Sequence, residues 1–230
     1  MTVKILALET TEKIATVAAA ENDRLLLHQA ADSSLRSAQS LAPTIQHLLH
    51  DVGWRAEEVE LVAVTVGPGS FTGLRVGVTT AKVFAYAAGA QVLGVETLAA
   101  IAAGAPSDIV RLWTAVDAQR GQWVVRPFVR DGETLQPAGT ADLVDAETWL
   151  NGLPAGEVLA GPVLRKTQCR LPIHVRTLAP EYWTPSAKHV AWLAWRDYAA
   201  GRRDDLWALA PRYSRPSAAE EKLQTRTGTF

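Results

Sequence analysis

The chain has 230 residues, of which 48% are hydrophobic and 20% are charged, and these proportions are ordinary for a globular protein. Its formal net charge of −1 indicates no large basic surface, so we do not expect the chain to hold a nucleic acid without a partner. A single cysteine, Cys169, excludes an internal disulfide.

The N-terminal residues and the least polar stretch bear on where the protein is found. Residues 1–4 lead directly into a strand-like segment and lack the charged, apolar and small-residue order of a signal peptide. The least polar stretch, residues 83–90, is much shorter than the roughly 20 residues that a membrane helix needs. We therefore expect a soluble cytoplasmic protein that makes no membrane contact.

The first half of the chain predicts strands mixed with helices. Residues 61–66 show no polar alternation, which is expected of a strand covered on both faces. In residues 37–51, Leu41, Ile45 and Leu48 fall on one helical face. The other predicted elements of this half are strands at residues 4–8, 14–20, 24–29 and 92–95 and helices at residues 78–88 and 97–103.

The sequence GPGSFTGLRVG at residues 67–77 joins a predicted strand to a predicted helix. A strand, a glycine-rich turn and a helix together direct backbone N–H groups toward an anion. The run is not a Walker A loop, because no Gly-Lys-Ser/Thr follows, and it is not the dinucleotide fingerprint, because Thr72 stands where the third glycine should be. The alternative is a tight turn whose glycines only satisfy backbone geometry.

Small residues recur at every fourth position of the same segment: Gly73, Gly77, Ala81, Ala85 and Gly89. On a helix this spacing makes one smooth stripe, which another backbone can approach closely. The segment is therefore predicted to be an anion site, a docking surface or both.

The second half begins as the first does. Residues 104–107, Gly-Ala-Pro-Ser, predict a boundary between domains 1–104 and 105–230. A strand at residues 111–117 ends in Asp117, as the first strand leads to Glu9, and a short turn and another strand follow in both halves. This repeat suggests two similar domains with both acids in the cleft between them. The acids could form a general acid/base pair or hold a magnesium-bound phosphate, but turn caps are the favoured interpretation.

The rest of the second half predicts shorter elements. They are a strand at residues 122–129, a helix at 144–150, strands at 158–160 and 173–177, and a helix at 186–200. We expect the last helix to return to the first domain, and the polar tail from about residue 217 to be frayed.

Other candidate groups give weaker signals. His47 and His50 have the spacing of a helical metal pair, but no third ligand and no His-x-x-x-His are evident, so we predict no metal site. Cys169 has no neighbours that mark a nucleophile. Trp192 and Trp195 are predicted to pack in the core or at a domain interface.

Several segments carry a family resemblance. They are ILALETT at residues 5–11, VGPGSFTGLRVG at 66–77, GVETL at 94–98, VDAQRG at 116–121, PRYSR at 211–215 and AEEK at 219–222. Together they resemble the bacterial TsaB family, also called YeaZ, over nearly the whole chain and most strongly up to about residue 120.

The resemblance implies an α/β fold of the actin-like (ASKHA, ribonuclease H-like) class, with two duplicated domains and mixed central sheets. It also implies a non-catalytic role in forming N6-threonylcarbamoyladenosine beside the anticodon of tRNAs that read codons beginning with A. The implied partners are the metal-bearing transferase TsaD, the small ATPase TsaE and a second copy of the chain, with tRNA reached only through the complex. No cofactor of its own is implied, and ATP or ADP is expected at the complex interface.

Two sets of site residues follow. The helix that the family uses for homodimers and for pairing with TsaD is predicted to present Phe71, Leu74, Arg75, Gly77, Val78, Thr79, Ala81 and Lys82. The nucleotide or phosphate cleft is predicted to include Glu9, Thr10, Thr11, Gly67, Gly69, Ser70 and Asp117.

The sequence departs from the family pattern at two places that bear on the predicted cleft, and two other functions are alternatives. Many relatives carry Asp in place of Glu9, and many have an Arg-x-His-Ser motif whose His is absent after Arg36 here. Both departures argue against nucleotide binding by this subunit. A metallo-glycopeptidase, which needs a metal site, is one alternative function. A small-molecule kinase, with Asp117 as base and Gly161 and Pro162 as a faint adenosine-binding candidate, is the other.

Overall fold

The computed structural model describes residues 2–34, 37–167 and 171–214, without the side chains of residues 37 and 38. Within these ranges the chain forms eleven strands and six α-helices. Three features discussed above lie outside the described residues: Arg36, Cys169 and the tail from residue 217.

The first half contains a five-stranded sheet and three helices. Its elements are β1 (Lys4–Glu9), β2 (Thr16–Glu21), β3 (Arg24–Ala30), α1 (Ser37–Asp51), a 3₁₀ helix (Ala56–Glu58), β4 (Leu61–Gly67), α2 (Phe71–Ala88), β5 (Gln91–Glu96) and α3 (Thr97–Ala102). The predicted first helix at residues 37–51 is confirmed. The second helix begins seven residues before its predicted start, because the glycine-rich run itself forms its first two turns.

The second half contains a six-stranded sheet. Its elements are β6 (Arg111–Asp117), β7 (Gln122–Asp131), β8 (Thr134–Pro137), β9 (Asp142–Asp145), α4 (Ala146–Gly152), β10 (Val158–Ala160), α5 (Leu164–Thr167), β11 (Arg176–Thr177), a 3₁₀ helix (Pro180–Tyr182) and α6 (Ala187–Ala199).

The two sheets have the same topology. The first has the order β3-β2-β1-β4-β5, and the second has the order β8-β7-β6-β10-β11, with β9 paired to β7. In each sheet the central strand is antiparallel to the strand that follows it in sequence and parallel to its other neighbour. The fold is therefore α/β with two mixed sheets of duplicated design, and the predicted fold class is confirmed.

The prediction of a helix over residues 144–150 is wrong in its first part. Residues 142–145 form β9, whose Leu143 and Val144 pair with Val124 and Trp123 of β7. The helix begins only after Asp145, whose side chain accepts a hydrogen bond from the Thr148 backbone N–H and caps it. Similarly, the strand predicted over 173–177 is confined to residues 176–177.

Both faces of the first sheet are covered. Leu6 and Leu8 of β1 point to the side of α1 and α2, whereas Ile5 and Ala7 point to the side of α6. Helix α6, although it follows the second sheet in sequence, buries Val190 and other apolar side chains on the first sheet. After α6 the chain continues over the first half as a segment, residues 202–214, that we call the C-terminal strap. None of the described helices is long and apolar enough to cross a membrane.

Candidate functional site

The glycine-rich run starts with a turn held against the C-terminal strap. The Gly67–Pro68 peptide bond is cis, and Gly67 has a φ of 122°. A Cβ atom at Gly67 would lie 2.3 Å from the Arg212 carbonyl oxygen, and the Arg212 N–H donates to the Val66 carbonyl oxygen at 2.6 Å. Only glycine fits this position, because the strap backbone occupies the space of a side chain.

Helix α2 begins with a side-chain cap and packs directly on β1. The Ser70 hydroxyl accepts a hydrogen bond from the Gly73 N–H at 3.2 Å. A Cβ at Gly73 would lie 1.9 Å from the Thr10 carbonyl oxygen, and a Cβ at Gly77 would lie 2.1 Å from Thr10 Oγ1. Likewise, Gly69 faces Thr11, because a Cβ there would lie 2.5 Å from the Thr11 Cβ. The glycines of the run therefore lack side chains where the turn after β1 occupies the space.

The prediction that the stripe of small residues is an exposed docking surface is wrong. Ala81 and Ala85 are buried in the core of the first half, as Gly73 and Gly77 are buried against Thr10. The same holds for two other predicted docking residues, Leu74 and Val78, which are buried on the inner face of α2. The four-residue spacing does place the small residues on one face of α2, but this face packs on the helix's own sheet.

The outer face of α2 is formed by other residues and is partly overlaid by the strap. Phe71, Arg75 and Thr79 are exposed, and Lys82 is partly exposed. The Arg75 guanidinium lies 3.9 Å from the centre of the Phe71 ring, and its Nε donates to the Tyr213 hydroxyl at 2.9 Å. The Phe71 and Tyr213 rings are 4.7 Å apart.

Farther along α2, the strap is held by its backbone. Lys82 Nζ donates to the carbonyl oxygens of Trp207 and Leu209 at 2.9 and 3.0 Å. The Tyr86 and Trp207 rings lie 5.6 Å apart, and both side chains are largely exposed. We call the exposed surface made by α2 and the strap the docking face; it consists of Phe71, Arg75, Thr79, Val83, Tyr86, Trp207 and Tyr213.

Sequence reasoning missed the strap's part in this surface. Trp207 follows a polar, arginine-rich stretch, and a large aromatic residue in such a setting was the available signal. Its position over α2 depends on contacts more than 120 residues away in sequence, which no local pattern shows.

Glu9 ends β1 and is completely buried. Its Oε1 accepts hydrogen bonds from the Thr11 N–H, at 2.6 Å, and from the Thr11 hydroxyl, whereas its Oε2 is buried without a hydrogen-bond partner. Burial raises the pKa of the Glu9 carboxyl to about 7, against the lowering effect of the Thr11 hydrogen bonds. Burial therefore stabilises the protonated form of this carboxyl relative to an exposed one.

Asp117 occupies the equivalent position at the end of β6, but its surroundings differ. It is about one-third exposed, its Oδ1 accepts from the Gln119 N–H at 2.8 Å, and its Oδ2 pairs with Lys166 Nζ at 3.1 Å. Both acids thus accept a backbone hydrogen bond from their own turn, as turn caps do. Each carboxylate has separate partners, and the structure does not join them in a catalytic pair.

The two halves are joined by ion pairs beside these turns. Glu12, in the β1–β2 turn, pairs with Arg165 of α5 at 2.7 Å. Glu96, at the end of β5, pairs with Arg126 of β7. Glu96 also lines a cleft of about 210 Å³ between the halves, which the strap closes with residues 212–214.

Within the described parts of the chain, no group of three or more His, Cys, Asp or Glu side chains is placed to hold a metal ion. His47 and His50 lie exposed on α1, and His50 Nδ1 is 3.4 Å from its neighbour Asp51.

Paired mixed sheets of one topology, each with an acid as the last residue of its central strand, define a two-domain protein of the actin-like class. A solved structure described as YeaZ from Pseudomonas aeruginosa has this fold: it superposes with a TM-score of 0.78 over 92% of this chain and 99% of its own, at 24% identity. A second structure, described as an uncharacterized protein with similarity to peptidase YeaZ from the same organism, superposes equally well.

The model of the tRNA N6-adenosine threonylcarbamoyltransferase family, TsaD, matches residues 31–194. The chain belongs to this family, and the curated relatives that it resembles carry the TsaB name.

Two curated relatives carry the same name, "tRNA threonylcarbamoyladenosine biosynthesis protein TsaB". The Escherichia coli protein is 30% identical over 56% of this chain, and the Bacillus subtilis protein is 28% identical over 51%. These matches span about half the length of each relative, 56% and 52%.

Proposed function

We propose that the protein is the non-catalytic partner of TsaD in forming N6-threonylcarbamoyladenosine next to the anticodon of tRNAs that read codons beginning with A. Family membership carries this proposal, together with the names of the two curated relatives. Such a subunit works in the cytoplasm, where tRNA is modified.

The docking face supports pairing with another protein. Val83, Tyr86 and Trp207 are 63, 69 and 72% exposed, and they lie on the outer side of α2 and on the strap across it. Aromatic side chains are enriched in protein interfaces and often carry much of the binding energy. We place TsaD on this face, and we propose that a second copy of the chain binds the same face in the absence of TsaD.

The net charge agrees with a subunit that reaches tRNA only through the complex. The net charge is −1, and phosphate contacts made by Lys and Arg dominate the affinity for nucleic acids. In this proposal TsaE joins the pair of TsaB-like and TsaD subunits.

The state of the two turn acids supports the proposal that the chain has no cofactor of its own. The Glu9 carboxyl is enclosed by its turn, and the Asp117 carboxylate is engaged by Lys166. We accordingly place ATP or ADP at the interface with TsaD, where the partner supplies the nucleotide-binding groups.

The first test is size-exclusion chromatography with light scattering, on the protein alone and mixed with TsaD from the same organism. We expect a dimer that converts to a one-to-one complex. The Trp207→Ala variant should weaken both assemblies at least about tenfold, whereas Ile173→Ala, which removes a fully exposed apolar side chain elsewhere, should have no effect. Absence of a complex at micromolar concentrations, with or without ATP and TsaE, would contradict the proposal.

A second test separates a scaffold from an enzyme. Modification of tRNA by TsaD, TsaE and the synthase that makes threonylcarbamoyl-adenylate should depend on this chain and should survive Asp117→Asn. Phosphate release from ATP by the chain alone, lost in Asp117→Asn, would instead favour the small-molecule kinase.

A further inference from the structure

A second cavity, of about 400 Å³, shares no lining residue with the docking face. It lies where the β1–β2 turn and β3 of the first half meet the segment that leads into α6. Its volume is within the range of small-molecule sites, which occur preferentially where domains meet. Five ionisable side chains line it, together with the hydroxyl groups of four further residues: Glu12, His28, Glu181, Lys188 and His189, and Thr16, Tyr182, Thr184 and Ser186.

One positively charged side chain, Lys188, lines the cavity together with two acids, Glu12 and Glu181. Glu12 is already paired with Arg165 at 2.7 Å. Lys188 has no acidic side chain within ion-pair distance among the residues of the described ranges. Burial lowers the pKa of both His28 and His189, and the Lys188 charge lowers it further.

Three polar groups are placed to donate or accept hydrogen bonds beside this charge. Ser186 precedes the first turn of α6, but its side chain does not cap the helix, and its Oγ lies 2.9 Å from His28 Nε2. His189 carries a buried Nδ1 that has no hydrogen-bond partner. Burial lowers the pKa of His189 to about 4 and also lowers that of His28, so both rings are neutral at pH 7.

We propose that this cavity binds a small oxyanion, a carboxylate or a phosphate, with the Lys188 ammonium as its counter-charge and with one further hydrogen bond donated by the hydrogen-bonded pair of Ser186 and His28. Glu181, the other acid of the lining, is exposed on the 3₁₀ helix and repels the anion. This arrangement predicts opposite effects when the two charges are removed one at a time. Removal of the Lys188 charge weakens binding, and removal of the Glu181 charge strengthens it.

The test is isothermal titration calorimetry of the full chain with sodium phosphate and with sodium succinate, at constant ionic strength and with sodium chloride as reference. We expect saturable binding that weakens at least about tenfold in Lys188→Gln and tightens in Glu181→Gln. The control is Lys13→Gln, the same change at an exposed position on the β1–β2 turn outside the cavity lining, and it should leave binding unchanged. Binding of phosphate alone or of succinate alone identifies which oxyanion the site takes.

Two results would overturn the proposal. One is an affinity equal in wild type and Lys188→Gln, because binding would then lie elsewhere. The other comes from NMR titration of the histidine ring protons: a bound anion must raise the pKa of His28 and His189, and unchanged values at saturation would exclude this cavity. Circular dichroism of each variant shows separately that the fold is retained.

Discussion

Gly73 and Thr10 are in contact through their backbones. A Cβ at Gly73 would lie 1.9 Å from the Thr10 carbonyl oxygen, and the Thr10 hydroxyl donates to the Gly73 carbonyl oxygen at 2.8 Å. Helix α2 is thus fixed on the turn after β1 at the point where the glycine-rich run becomes helical. The glycines of this run serve the packing of the first half.

Gly73→Ala should destabilise the protein by about 3 kcal/mol, because the new methyl group meets a backbone atom that cannot move aside. The measurement is urea unfolding followed by circular dichroism. Gly152→Ala is the matched control, since a Cβ at that helical position has no atom within 4 Å. A Gly73→Ala protein as stable as wild type that fails only to pair with TsaD would restore the stripe as a docking surface.

Tyr86→Ala should leave the free energy of unfolding within about 0.5 kcal/mol of wild type, since the side chain is 69% exposed, but should weaken pairing with TsaD. Surface plasmon resonance on immobilised TsaD measures the loss. Leu25→Ala is the control, because Leu25 is an exposed apolar residue on β3, away from α2. Equal affinities for the two variants would remove Tyr86 from the docking face.

Glu9 should make the protein less stable as the pH rises from about 4.5 to about 7. Its folded pKa of about 7 lies above the ordinary value of 4.5, so the folded state binds more protons in this window and its advantage is lost as the carboxyl ionises. Glu9→Gln keeps an acceptor for Thr11 without the charge. The free energy of unfolding of this variant, relative to that of wild type, should increase by up to about 3 kcal/mol between pH 4.5 and pH 8. A constant difference across this range would show that Glu9 ionises normally.

His189 should have the opposite pH dependence. Its folded pKa of about 4 lies below the ordinary value of 6.5, so the unfolded state binds more protons in between. The contribution of the neutral ring is complete above pH 6.5 and is lost as the pH falls toward 4. In chemical unfolding, the free energy of unfolding should therefore fall less on acidification in His189→Gln than in wild type. The control is His47→Gln, a change at an exposed histidine on α1, in which it should fall as much as in wild type.

The Glu96–Arg126 ion pair should contribute measurably to the joining of the two halves. Both side chains are only about one-fifth exposed, 20 and 23%, so solvent screens the pair less than it screens a surface pair. A double-mutant cycle with Glu96→Gln and Arg126→Gln should give a coupling energy of about 1 kcal/mol or more. The Glu21–Arg24 pair, whose arginine is 69% exposed, should give less than about 0.5 kcal/mol. Equal couplings would mean that the pair between the halves is also screened.

The resemblance carried by residues 66–77 and the element order of the first half correctly predicted the fold class, and the helical periodicity of Leu41, Ile45 and Leu48 correctly located α1. These features are local, because a periodic apolar face or an unbroken apolar strand depends on residues that are close together in the sequence. The prediction for residues 144–150 failed, since β9 forms only because β7 offers it a partner.

The sequence by itself determined that α2 has one face of small residues, that Glu9 and Asp117 end equivalent strands, and that the chain belongs with the TsaB family. Only the tertiary structure decided which way the small face points, because Gly73 and Gly77 leave room that either Thr10 or a partner could fill. It also decided that Glu9 is buried and Asp117 is not, and that Trp207 and Tyr213 lie on α2. Burial and strap contacts arise between residues distant in sequence, and local patterns do not encode them.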